Sequence, residues 1–304
     1  LKQITKTFFA LGTANSVSVF YDENDEEEIE KTLEYIKSYT LMLDDMFSVF
    51  KEKSEITKIN NAAGSKTVEV SRQTYTILEK AVEFSRLSSG AFDITAGPVA
   101  GLWRNAIKGT YVPDKEDIEK QRSLTNYKDI ILEDGRAGLS KKGQQLDLGG
   151  IAKGFAADEA AKILNENEIK NAIVNFGGTI IILGGEKRVG IQNPDMDATN
   201  AAGFINVDSK AVVTSGSYER YFIKDWHRYH HIIDPTTGEP SESGLVSVTV
   251  VGDCALEMDA LSTAVFILGM KKGSRLIKKL NAQAVFIDDN RNVFTTKGIS
   301  FEKL

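Results

Sequence analysis

Leu146-Asp147-Leu148-Gly149-Gly150-Ile151-Ala152-Lys153-Gly154-Phe155-Ala156-Ala157-Asp158 is the stretch around which the rest of the chain is organised. Apolar residues alternate into Asp147, as at the end of a strand. Ile151 then opens an Ala-rich run that reads as a helix to about Asn167. A Gly-Gly step lets backbone or phosphate approach closely, because no Cβ intervenes. A helix start offers unpaired N–H groups to an anion, and Lys153 adds positive charge one turn in. Taken alone, the stretch is equally a tight strand-to-helix turn with glycines for packing.

Working outward, the chain has 304 residues, 41% hydrophobic and 26% charged, enough for one large unit with a sizeable core. With 43 acidic against 37 basic residues the net charge is -6, and no Lys/Arg run provides a nucleic-acid footprint. A lone cysteine, Cys254, excludes an intrachain disulfide framework and reads as a small buried hydrophobe. The longest apolar run, Ala264 to Met270, is too short to span a bilayer. The first residue is Leu1 rather than Met, which predicts a segment removed upstream, such as a signal peptide or lipid anchor.

Phe8 to Tyr21 reads as a strand broken at Leu11-Gly12-Thr13-Ala14-Asn15 and resumed through Val17, Val19 and Tyr21. The acidic cluster Asp22 to Glu30 suits a helix start, with Ile29, Leu33, Ile36, Leu43 and Phe47 on one face. Ser48 to Asn61 reads as a polar loop. Ser71 to Ser88 is a second helix with Tyr75, Leu78 and Val82 on one face, ending in the ligand-loop-like Ser89-Gly90-Ala91-Phe92-Asp93-Ile94-Thr95-Ala96-Gly97-Pro98. A short surface helix follows over Asp114 to Ser123, then two or three strands.

Ala172 to Phe176 and Thr179 to Leu183 flank Gly177-Gly178 as a hairpin. Strands follow at 189–191, 204–207 and 211–213, the last running into Thr214-Ser215-Gly216. A strand over Leu245 to Val251 precedes a helix from about Cys254 to Leu268, and a further helix with two short strands ends the chain. The pattern is α+β: mixed or antiparallel sheets with packed helices, over 1–304 as one unit with room for two intertwined sub-lobes.

Asp259 and Thr263 stand at i and i+4 on that late helix, so a carboxylate and a hydroxyl share a face. Two hard oxygens one turn apart suit Mg²⁺ or Ca²⁺ rather than zinc; the plain alternative is a local hydrogen bond on a helix surface. All three histidines, His227, His230 and His231, precede Ile232-Ile233-Asp234-Pro235-Thr236-Thr237-Gly238. No Cys and no helical spacing supports a closed zinc site. One histidine acting as proton acceptor is the more economical reading, with structural hydrogen bonding the alternative for His227 and His230.

Asp147-Leu-Gly-Gly-Ile-Ala-Lys-Gly154, Asn175-Phe-Gly-Gly178, Thr214-Ser-Gly216, His231-Ile-Ile-Asp-Pro-Thr-Thr-Gly238 and Asp259-Ala-Leu-Ser-Thr263 occur in the order and spacing of the ApbE-like FAD:protein FMN transferases. Leu11-Gly12-Thr13 and Gly90-Ala91-Phe92-Asp93-Ile94-Thr95 match that family's N-terminal half, so the resemblance covers nearly the whole chain. It implies an α+β fold with FAD in a cleft and Mg²⁺ on the pyrophosphate. The reaction implied moves FMN to a Thr or Ser hydroxyl of an acceptor protein, in a short flavinylation motif, and releases AMP. By position, Gly150 (through its carbonyl), Asp259 and Thr263 fall on the metal. Leu11, Phe50, Ala91, Phe92, Asp93, Asp147, Lys153 and Ile233 fall at flavin-nucleotide contacts, and His231 matches the catalytic histidine. Leu11 stands where Met is usual, Phe50 where Tyr is common, and His230 where a small residue often precedes the histidine.

Two other functions use the same residues. With water as acceptor the protein is an FAD pyrophosphatase yielding FMN and AMP; without turnover it is a flavin-binding protein, which needs neither metal nor base. The resemblance also implies an extracytoplasmic, membrane-anchored lipoprotein.

Overall fold

Alternating burial along the central strands sets the architecture. Neighbouring residues such as Ile181 and Ile182, Val212 and Val213, and Phe286 and Ile287 enter two different hydrophobic clusters, because successive side chains of a strand face opposite sides. The computed structural model describes residues 2–22, 26–195 and 200–304. Of the acidic cluster, Glu23, Asn24 and Asp25 lie outside the described residues.

The chain opens with a hairpin, β1 (Lys2–Ala10) and β2 (Thr13–Tyr21). Only Leu11 and Gly12, both in left-handed conformation, separate the strands, so the break is shorter than the sequence pattern suggests. Helix α1 (Glu26–Phe47) buries the expected Ile29, Leu33, Ile36, Leu43 and Phe47. The Ser48–Asn61 segment is not all loop. Ser54 accepts a hydrogen bond from Thr57 N–H and caps α2 (Glu55–Asn61), whose buried Ile56 and Ile59 are the only apolar residues in a polar sequence.

After β3 (Val68–Glu69), Ser71 caps α3 (Arg72–Leu87). Helix α4 (Gly97–Gly109) has no counterpart in the sequence reading; Pro98 sits in its first turn, where a missing N–H is harmless. It is followed by α5 (Lys115–Arg122), β4 (Ile130–Glu133) and β5 (Arg136–Leu139). Helix α6 (Ala152–Glu166) leads to the hairpin β6 (Ala172–Phe176) and β7 (Thr179–Leu183), turned at Gly177 and Gly178 as expected.

Next come β8 (Glu186–Gln192), β9 (Ala201–Asp208), β10 (Ala211–Gly216), then the pair β11 (Tyr221–Lys224) and β12 (His227–His230). Strand β13 (Leu245–Gly252) is buried along its whole length. Helix α7 (Ala255–Lys279) is broken at Gly269, so the two late helices meet at a kink. Three short strands, not two, close the chain: β14 (Gln283–Asp288), β15 (Val293–Thr295) and β16 (Phe301–Lys303).

The main sheet has the order β1-β2-β6-β7-β10-β13-β14-β15, antiparallel throughout. One face packs α1, α6 and α7 around Leu33, Phe155, Leu261 and Phe266. The other meets the small sheet β16-β9-β8 through Val189, Ile191, Ile205 and Val207. A third cluster joins α4 and α5 to β11 and the turn after β12, through Val99, Trp103, Ile118, Phe222 and Ile233. Trp103 Nε1–H donates to the Gly238 carbonyl at 2.7 Å, which ties α4 to the Asp234–Gly238 turn. Among the described residues no helix is long and apolar enough to cross a membrane.

Candidate active site

The site begins where α6 crosses α7. A Cβ on Gly154 would lie 2.6 Å from Leu256 Cα, so only glycine admits this approach. Asp158, one turn on, accepts from the N–H groups of Ala255 (2.9 Å) and Leu256 (2.8 Å) and from the Cys254 thiol (3.1 Å). Cys254, the residue before α7, supplies no cap of its own; the neighbouring helix caps it instead. Burial pushes the Asp158 carboxyl up, against the pull of those three donors, and pushes the Cys254 thiol up to about 12.

Asp259 meets α6 head-on. Its Oδ2 accepts from Gly154 N–H at 2.9 Å, and Lys153 Nζ stands 3.3 Å from Oδ1 and 3.4 Å from Oδ2. The anion at the helix start is thus, in the first instance, a carboxylate of the protein itself. Asp259 is 3% exposed, a burial tolerable for a charge only when paired and hydrogen-bonded.

Thr263 lies one turn further along α7. A Cβ placed on Gly150 would be 3.2 Å from its Oγ1 and 3.2 Å from the Phe92 ring, so the Gly149-Gly150 backbone runs directly beside the hydroxyl. The local bond between Thr263 and its own helix is absent: Ser262 Oγ, not Thr263, donates to the Asp259 carbonyl at 2.9 Å. Ser262 is pinned in turn by Ser215 of β10, hydroxyl to hydroxyl at 2.7 Å. Asp259 and Thr263, one turn apart on α7, and the Gly150 backbone beside the Thr263 hydroxyl offer oxygen donors with a single carboxylate. That chemistry fits Mg²⁺, which takes few protein ligands beside phosphate oxygens. Among the described residues no group of three or more His, Cys, Asp or Glu converges as a metal site, so the histidines do not make one.

The turn before Gly150 carries a wall. Asp147 accepts from Gly149 N–H through Oδ1 (2.8 Å) and pairs with Arg104 through Oδ2. The same guanidinium lies 4.9 Å from the Phe50 ring centroid, and Phe50 is 75% exposed, an aromatic face open to a ligand. Arg104 was not anticipated; it sits on α4, which the sequence pattern did not reveal. Leu11 is held at its turn by N–H donation to Asp44 Oδ1 at 3.0 Å. Ala91 and Phe92 are buried. Asp93 is spent on its own loop, accepting from Thr95 N–H (2.8 Å), Thr95 Oγ1 (2.6 Å) and Tyr127 N–H (2.9 Å); burial outweighs these donors and raises its pKa. Ile233 is buried in the Trp103 cluster.

The histidines separate. His230 is 5% exposed, edge-on to Phe266 at 5.6 Å. Its Nε2–H donates to the Ser241 carbonyl (3.1 Å) and its Nδ1 accepts from Ile232 N–H (3.3 Å), a fully satisfied neutral ring. His227 packs against Tyr229 at 4.5 Å, with Glu242 at 3.5 Å. His231 points the other way. Its Nδ1 contacts the Arg220 carbonyl at 3.3 Å; since a carbonyl only accepts, the proton sits on Nδ1 and Nε2 keeps its lone pair. His231 is exposed to solvent, and nearby protein displaces part of the water around the ring. That desolvation first, then His230, Arg220 and Lys153, lower its pKa to about 4. Arg220 and Lys153 both disfavour the protonated ring, and His231 is neutral at pH 7. Arg220, whose carbonyl meets the His231 ring and whose guanidinium reaches the Gly12 carbonyl at 3.4 Å, links His231 to the Leu11 turn.

The crossed helices bring a buried carboxylate, a lysine and a glycine turn together in an antiparallel α+β fold. A family model described as the ApbE family matches residues 11–287, and the chain belongs to that family. It is 36% identical over 273 residues to an FAD:protein FMN transferase of Klebsiella pneumoniae (strain 342), covering 89% of this chain and 85% of the relative. It is 32% identical to one of Treponema pallidum (strain Nichols), covering 98% and 88%. The crystal structure of the ApbE protein of Thermotoga maritima superposes with a TM-score of 0.88 at 33% identity over 97% of each chain.

Proposed function

We propose that this protein is an FAD:protein FMN transferase, moving FMN from FAD to a Thr or Ser hydroxyl of an acceptor protein with release of AMP. The observation that carries the reading is the α6–α7 crossing, where Asp259 meets Lys153 and the Gly154 N–H and the unbonded Thr263 hydroxyl lies beside the Gly150 backbone. Relatives of this chain over most of its length bear that name.

Asp259, Thr263 and the Gly150 carbonyl would hold Mg²⁺, which supplies Lewis-acid stabilisation of the charge on the pyrophosphate oxygens. The bond made joins the acceptor oxygen to the FMN phosphorus; the bond broken joins that phosphorus to the AMP oxygen. His231 Nε2 takes the hydroxyl proton, for which a neutral ring is required. Lys153 offers positive charge to the phosphates, and the Gly149-Gly150 backbone lets them come near. Phe50, braced by Arg104, presents a ring to the flavin or adenine face, with Leu11 and Phe92 as apolar neighbours. The family reading also carries an extracytoplasmic, lipid-anchored location, which cell fractionation checks.

The test is intact-mass analysis of an acceptor protein after incubation with FAD and Mg²⁺. A covalent FMN on a Thr or Ser, with AMP released in equal amount, is the expected result. AMP and free FMN without an adduct would make the protein an FAD pyrophosphatase instead.

A further inference from the structure

The β11–β12 hairpin exposes three large apolar side chains and has no part in the chemistry above. Trp226 at its tip is fully exposed (101%), Ile223 is 61% exposed and Tyr221 39%. Asp225 and Trp226 form the two-residue turn with φ of 50° and 64°. Such a turn favours Asn-Gly or Asp-Gly. A tryptophan there takes up a strained conformation and gains no packing in return, the mark of a side chain kept for a contact outside the chain.

The hairpin is nevertheless rigid. Phe222, alternating with the exposed residues, is buried and stacks on Tyr229 at 5.0 Å, which stacks on Trp103 at 5.8 Å. Arg228 lies over the outer Tyr221 ring at 4.7 Å. Among the described residues strand β11 pairs only with β12, so its other edge offers backbone groups to an extended partner. The base of the hairpin is the reaction centre: His231 follows β12 directly, and its N–H donates to the Arg220 carbonyl just before β11, at 3.1 Å.

We infer that this hairpin is the docking platform for the acceptor protein, whose extended segment around the reacting Thr or Ser lies along β11 with apolar contact to Tyr221, Ile223 and Trp226. The inference rests on the proposed transfer reaction. The occupant follows from continuity: a hydroxyl delivered to His231 Nε2 brings its own chain past the hairpin base, and an exposed edge with alternate apolar side chains is what an extended segment recognises.

The test uses the full chain and, as probe, a tryptophan-free carrier protein displaying an extended Ser-Gly-Ala-Thr segment on a surface loop. In the Ile223→Ser/Trp226→Ala double variant, the carrier concentration giving half-maximal flavinylation rises about tenfold or more. FAD affinity and the rate at saturating carrier stay at wild-type values, and Trp226→Phe restores most of the loss. Unchanged carrier dependence in a folded double variant overturns the inference.

A second arm works without turnover. With Trp103 buried, acrylamide quenching reports Trp226, and the carrier with its Thr changed to Val shields it from quencher. Shielding by the Val carrier, with no flavin adduct on the Thr carrier of the first arm, leaves the docking surface standing and removes the transfer reading; an adduct on the Thr carrier without shielding by the Val carrier does the reverse. Shielding by phosphatidylglycerol vesicles and not by carrier assigns the hairpin to a membrane surface and overturns the inference as well.

Discussion

Asp259 does two things at once, and they call for different substitutions. As the acceptor of Gly154 N–H and partner of Lys153, it holds α6 against α7; as the carboxylate of the proposed oxygen set, it would hold Mg²⁺. Asp259→Ala leaves a buried N–H and an ammonium without a partner, and so lowers stability as well as turnover. Asp259→Asn keeps an oxygen for Gly154 and removes the charge. It lowers transfer by at least roughly 100-fold, the upper end seen for outer-shell metal partners; near-wild-type turnover across a Mg²⁺ titration would take the carboxylate out of this role. His231→Ala lowers the rate by about 10²–10⁴-fold while FAD still binds, as for a positioned base. Because the base works unprotonated and the ring's pKa is lowered to about 4, the wild-type rate stays flat from pH 8 to pH 6 and drops only nearer pH 4. A drop already between pH 8 and 6 that vanishes in the variant would show a ring that is not desolvated at work.

At the scale of elements, the α6–α7 crossing decides where the chemistry sits. Three contacts from one face of α6 reach α7: Gly154 by close approach, its N–H to Asp259, and Asp158 onto the first amides. Asp158→Ala strips the cap and leaves two N–H groups unpaired, costing about 1–3 kcal/mol. Since Asp259 lies on the first turns of the same helix, the variant also binds Mg²⁺ more weakly. Thermal unfolding with and without Mg²⁺ measures both effects; an unaltered melting temperature would make the cap dispensable. Asp158→Asn, which still accepts, gives the smaller loss.

Across the whole molecule, His230 is a buried neutral ring whose pKa is lowered to about 4, burial being the first cause. In the unfolded chain it titrates near 6.5. Below that pH the unfolded state binds a proton that the native ring refuses, so the contribution is complete above pH 6.5 and is lost as pH falls toward 4. The shift corresponds to roughly 3 kcal/mol at most. His230→Gln removes the titration, although the variant starts less stable because the ring's packing on Phe266 is gone. Denaturant unfolding at pH 7 and pH 5 compares the two proteins; an equal loss in both would place the acid sensitivity elsewhere.

Much of this was legible before any coordinates. The face of α1, the Gly177-Gly178 hairpin, the strand β13 and the i, i+4 pair Asp259/Thr263 are local patterns, carried by periodicity and turn chemistry. In α3 the buried face runs through Thr74, Ile77, Leu78, Ala81 and Phe84, and of the face read from the sequence only Leu78 is buried, with Tyr75 and Val82 half-buried. Strand alternation likewise separated His230 from His231. Helices α2 and α4 were illegible: α2 has two apolar residues in seven, and α4 is defined by Val99, Trp103 and Ala106 packing on Phe222 and Ile233 from far along the chain. Asp158 stood in plain view as an acid on an Ala-rich helix, but a sequence does not say which helix end a carboxylate will cap. Arg104 gave no signal. Lys153 and Asp259 are 106 residues apart, and periodicity encodes only which face of an element is buried. Which buried faces meet is settled by packing, through a glycine that admits a neighbouring backbone and a carboxylate that finds unpaired amides within reach.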